Sequence, residues 1–138
     1  MWKAEFTKSA QATPEALWER WTEVANWPEQ DESLQSASID GPFAVGSIIT
    51  LKPKGSPTVK VQLIEVTKLK SFSSTGQLPL AKLQFDHKAK SDGAKIEFTQ
   101  SVTMTGPLSG LFSKMMGKKM AENLEARMAK LAKLLDSK

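Results

Sequence analysis

Residues 94–104, AKIEFTQSVTM, run into residues 105–135, TGPLSGLFSKMMGKKMAENLEARMAKLAKLL, across Gly106-Pro107, and this junction decides the fold. In the first segment Ile96, Phe98, Val102 and Met104 alternate with Lys95, Glu97, Thr99, Ser101 and Thr103. That period of two predicts a strand with one dry face and one wet face. The second segment has no breaker after Pro107 except Gly110 and Gly117, and predicts a single long helix. A sheet with one dry face must be covered, and only this helix is long enough to do so.

The apolar positions of that helix do not form one straight stripe. Leu108 to Met116 centre roughly 120–140° away from Met120 to Leu135 at about 100° per residue. A kink, a bend or a late helix start near Gly117 would bring both groups onto the sheet. Four of the six methionines lie between Met115 and Met128. Methionine fills irregular space and adaptable binding surfaces, so the cluster either packs a core or lines a cavity.

Working outward, WKAEFTKS near the N-terminus predicts a strand with Trp2, Ala4 and Phe6 on one face. TPEALWERWTEV carries helix-start chemistry, with Thr13 as N-cap, Pro14 at the first helical position and Glu15 beside the positive end. Asn26-Trp27-Pro28 predicts a break, and Glu29 to Ser33 a second short helix or turn. From Leu34 the chain reads as strands separated by turn residues about every ten positions, at Gly41-Pro42, Gly46, Gly55-Ser56-Pro57, Leu69-Lys70, Leu78-Pro79 and Asp92-Gly93. That spacing predicts an antiparallel meander. The expected fold class is α+β, a curved antiparallel sheet of six to seven strands around a long C-terminal helix, with two short helices after the first strand.

With 138 residues, no internal repeat and no linker, the chain reads as one domain over residues 1–138. It contains no cysteine, which excludes disulfides, thiol nucleophiles and cysteine metal sites. No signal-peptide pattern or membrane-length apolar run is present, so a cytoplasmic location without stable membrane insertion is expected. The net charge of +4 is all carried from Pro107 onward, and the preceding residues balance. Such a surplus either attracts an anionic surface or forms the solvated, dipole-matched face of the last helix. The tryptophans stand at core spacing rather than among the lysines, which argues against nucleic acid.

Two stretches carry a family resemblance. ATPEALWERWTEVANWPEQDES resembles the N-terminal signature of the START-like, helix-grip (SRPBCC) superfamily, with Thr13, Pro14, Trp18, Trp27, Pro28 and Glu29 at the matching positions. The last segment is similar to the closing helix of its bacterial polyketide cyclase/dehydrase-like branch, through Gly106, Pro107, Leu108, Phe112, Gly117, Lys118 and Lys119. The chain departs at Gln30, where that branch usually places a tryptophan. The resemblance implies a sheet gripping a helix, with an apolar pocket between them for lipids, sterols, polyketides or similar molecules. Some members are enzymes.

Chemistry-bearing residues are few. The single histidine, His87, excludes multi-histidine metal sites. Alternation with Leu83 and Phe85 puts His87 on the dry face near a strand end, either as an acid/base or polar anchor or, more simply, exposed at the rim. Gln100 and Ser74 also fall on the dry face. Glu65 does so unless a bulge turns it outward and brings Ile64 and Val66 in. Asn123 and Arg127 lie on the helix flank, where they either reach a ligand's polar end or, more simply, are solvated.

The primary expectation is a module binding a small hydrophobic ligand, lined by Phe85, Phe98, Gln100, Met116, Met120 and Leu124. Gln100 and His87 would be its polar contacts. The alternatives are a cyclase/dehydrase-type enzyme using His87 or Glu65, and a membrane-surface or protein-interaction module using the basic last helix. No metal, cofactor or nucleic acid is expected.

Overall fold

The computed structural model describes residues 1–78 and 80–136. One seven-stranded antiparallel sheet runs in the order β1-β7-β6-β5-β4-β3-β2. Its strands are β1 (Trp2–Ala10), β2 (Leu34–Ile39), β3 (Ile48–Pro53), β4 (Val59–Thr67), β5 (Ser71–Leu78), β6 (Ala81–Asp92) and β7 (Lys95–Thr105). Consecutive strands from β2 to β7 pair as hairpins, and β1 closes the order against β7. The turn expected at Leu78-Pro79 ends outside the described residues.

Helix α1 (Pro14–Thr22) is capped as its sequence requires, with the Thr13 hydroxyl accepting from the Ala16 N–H at 3.1 Å. The second short helix differs from the sequence expectation. A 3₁₀ helix spans Val24–Glu29, so Asn26-Trp27-Pro28 lies inside it rather than before it. The tighter 3₁₀ turn loses only one donor at Pro28, a small cost in so short a piece. The Trp27 indole N–H donates to the Trp21 carbonyl at 3.2 Å and folds this segment back on α1.

Helix α2 (Ser109–Asp136) is one uninterrupted helix, and the structure corrects the two-faced reading of it. Its buried positions are Ser109, Gly117, Leu124, Met128, Leu131 and Leu135, with Phe112, Met116 and Met120 packed between them. These share one stripe at spacings of three and four. Leu111 and Met115 instead project into solvent, 54% and 70% exposed. The apolar count treated every hydrophobic residue as inward and omitted Gly117. Yet Gly117 is a point of close approach, where an added Cβ would stand 3.0 Å from the Trp2 ring.

Both ends of this contact fix how α2 lies. Gly117 meets Trp2 at the start of β1, and Asp136 accepts from the Gln11 backbone N–H at 2.7 Å just past its end. Gly117 to Asp136 spans about 29 Å of helix, matching about 30 Å of strand from Trp2 to Gln11. The helix therefore runs beside β1 and β7, and its first two turns overhang the start of β1.

The core is the dry face of the sheet with the stripe of α2 and the inner side of α1. It includes Leu17, Trp21, Ile49, Leu63, Phe72, Ile96, Phe98, Val102, Met104, Leu124 and Met128.

Candidate functional site

The strand register assembles what separate strands carry. On the inner face Phe6, Gln100, His87, Phe72 and Val66 form one cross-strand row, through the pairs Phe6↔Gln100, His87↔Gln100, Phe72↔His87 and Val66↔Phe72. The next row is Ala4, Val102, Phe85, Ser74 and Leu63. Thus His87 and Gln100 are direct cross-strand neighbours inside an aromatic and aliphatic surround. Ser74 lies on the diagonal.

Contrary to the simpler rim expectation, His87 is partly buried and stacked. Its ring lies 3.9 Å from that of Phe72 at an interplanar angle of 13°. Trp21 of α1 meets it edge-on at 5.4 Å. The reason is that β6 runs to Asp92, so position 87 is mid-strand rather than terminal. Burial holds the His87 pKa well below its ordinary 6.5, the nearby Arg127 charge acts in the same direction, and the Phe72 backbone opposes with a smaller effect. At neutral pH the imidazole is uncharged.

Arg127 of α2 closes the site from above. Rather than extending into solvent, its side chain is about three-quarters covered and pairs with Asp31 at 3.8 Å. Asp31 is buried just after the 3₁₀ helix, where its carboxylate accepts from the Ser33 N–H at 3.0 Å and the Ser33 hydroxyl at 2.6 Å. Burial lowers the Arg127 pKa, and Asp31 opposes that shift. Four covered polar atoms have no hydrogen-bond partner among the described residues: Trp21 Nε1, His87 Nδ1, Gln30 Oε1 and Arg20 Nε. Two of them, on Trp21 and His87, belong to rings in contact. A donor or acceptor left unpaired in such surroundings costs about 1–3 kcal/mol.

Of the other residues singled out in the sequence, Phe98, Gln100 and Leu124 are buried on the inner side, and Phe85, Met116 and Met120 are half-buried against the core. Glu65 is outside the site. The register shift between Leu63 and Glu65 turns its carboxylate outward, where Thr67 and Ser71 hydroxyls donate to it. Val66 turns inward as that bulge requires, while Ile64 stays exposed.

Under α2 near Phe98, buried and half-buried side chains pack together, with Met116, Met120 and Leu124 among them. An open groove of about 550 Å³ lies elsewhere, along β3–β5, with Val59, Val61, Gln62, Thr75 and Gly76 in its lining. No cluster of metal-binding side chains occurs among the described residues. Sequence reasoning missed Trp21 as a neighbour of His87 and Asp31 as the partner of Arg127. Trp21 read only as core, and nothing in Asp31's local sequence marks it as buried.

Residues 1–136 match the family described as polyketide cyclase / dehydrase and lipid transport. The chain belongs to that family. No curated protein sequence matches it. Solved structures share the fold of this family member at low identity. A hypothetical protein from Helicobacter pylori aligns with TM-score 0.80 and 10% identity over 96% of this chain and 87% of its own. Truncated norcoclaurine synthase from Thalictrum flavum aligns with TM-score 0.75 and 13% identity, covering 96% and 92%. The di-domain ARO/CYC StfQ from the steffimycin biosynthetic pathway aligns with TM-score 0.76 and 13% identity, covering 98% of this chain and 51% of that one. The architecture is therefore the helix-grip fold of the START-like superfamily.

Proposed function

We propose that the protein binds a small hydrophobic molecule between its sheet and α2, with the molecule's polar end held at His87 and Gln100. The observation that carries this reading is the pair itself. An imidazole and an amide are cross-strand neighbours on a dry face, beside unpartnered nitrogens of His87 and Trp21. Buried polar groups ordinarily have partners, and a ligand oxygen would provide one. The half-buried Met116 and Met120 supply deformable walls that can yield to an incoming apolar body.

Native mass spectrometry beside a denatured control tests this reading, followed by a screen of aromatic, polyketide-like and fatty ligands. The expected result is a bound species, or a screened ligand, whose affinity falls about tenfold or more in Gln100→Leu, the loss of one buried hydrogen bond. Equal affinity in that variant would remove the polar anchor.

A second reading is an enzyme of the cyclase/dehydrase kind, favoured by the neutral imidazole of His87, the form that accepts a proton. Under it, His87→Ala abolishes turnover of a polyketide-like substrate and leaves ligand affinity largely intact. Unchanged turnover would exclude His87 from the chemistry.

A further inference from the structure

Four large apolar side chains stand exposed at one end of the molecule: Met1, Leu80, Leu111 and Met115. Met1 precedes Trp2, whose ring lies against Gly117. The Leu80 carbonyl accepts from the Leu108 N–H at 3.0 Å, which places Leu80 at the start of α2. Leu111 and Met115, four residues apart, share the outer face of the overhanging turns.

The charge of α2 gathers on the same half. From Ser109 to Ala121 the helix carries Lys114, Lys118 and Lys119 and no acidic residue. From Glu122 to Asp136 three acidic residues balance Arg127, Lys130 and Lys133. In that second half Arg127 pairs with Asp31, Lys130 with Glu32, and Glu125 with Lys8. Lys114, Lys118 and Lys119 have no acidic partner among the described residues. They are also too far from the helix C-terminus to be matched to its dipole, which acts within the last turn.

We propose that this end docks on an anionic phospholipid surface, with Leu111, Met115 and Leu80 entering the headgroup boundary and the three lysines meeting lipid phosphates. Charge complementarity selects the occupant. Unpaired cations on flexible apolar stems around exposed Leu and Met suit a surface that is negative outside and apolar beneath. Nucleic acid would leave the apolar side chains unused. No described helix is long and apolar enough to cross a membrane, so the contact is peripheral. The inference stands independently of the ligand-binding reading.

Co-sedimentation of the intact protein with phosphatidylcholine vesicles, with and without phosphatidylglycerol, is the test. Partition into the anionic vesicles alone is expected, falling as salt rises. The triple variant Lys114→Gln, Lys118→Gln, Lys119→Gln should weaken it by about tenfold or more. The pair Leu111→Ser, Met115→Ser should weaken it at every salt concentration while keeping the salt dependence. All five positions are solvent-facing, and circular dichroism would verify that both variants remain folded. Absence of partition, or equal partition by the parent and the lysine variant, overturns the proposal and leaves an acidic protein as the occupant to seek.

Discussion

His87 is a neutral imidazole enclosed by Phe72, Trp21 and Arg127, and that has a consequence for stability. In the folded chain its pKa is lowered, while the unfolded chain takes up its proton near the ordinary value of 6.5. Below that value the unfolded state binds more protons. Stability is thus complete above pH 6.5 and declines as pH falls toward the lowered folded value, by at most about 1.4 kcal/mol per pH unit. Urea midpoints measured across this window should show the decline in the parent and its absence in His87→Phe. An equal decline in both would assign it to the carboxylates instead. The sequence placed His87 and Gln100 on the dry face by alternation alone. It could not pair them, because a register between β6 and β7 is a relation between strands.

Helix α2 bears apolar side chains of two unlike kinds, and substitution should separate them. Leu124 is 1% exposed between sheet and helix, so Leu124→Ala leaves a cavity and should cost about 2–5 kcal/mol. Met115 is exposed on the overhang, and Met115→Ser should change stability by no more than about 0.5 kcal/mol. Thermal or denaturant melts of the two variants provide the comparison, and a large loss from Met115→Ser would mean that its side chain, like its neighbour Met116, is packed against the fold. Hydropathy gives Leu and Met similar weight, so the distinction lies in the face each occupies. Leu124 belongs to the buried stripe, whereas Met115 stands on the opposite face of turns whose Phe112 and Met116 pack against the core. The stripe became clear only once Gly117, without a side chain, was recognised as an inward position.

For the whole molecule, the helix-grip arrangement places the polar pair, Gln100 buried and His87 half-buried, among side chains packed beneath α1 and α2. A ligand that enters must displace part of that packing, yet it stabilises the folded state in proportion to its affinity. At about a hundred times its dissociation constant, a true ligand should raise stability by about 2.7 kcal/mol, visible as a higher melting temperature. The gain should shrink in Gln100→Leu. A shift of equal size in that variant would locate the ligand elsewhere, with the β3–β5 groove the next place to look.

The sequence by itself determined the elements and their faces. Thr13-Pro14 started α1, Gly106-Pro107 separated the sheet from α2, and period-two alternation assigned the dry side of β7. These are local effects of caps, turns and side-chain direction. It determined the 3₁₀ segment less well, because local proline chemistry allows both a break before Glu29 and a short helix through Pro28. Tertiary structure alone decided that Arg127 turns inward to Asp31, that the bulge after Leu63 sends Glu65 outward, and that Trp21 stands over His87. Each of these depends on a partner distant in sequence. A side chain's final environment follows from which surfaces meet, and no local pattern encodes that.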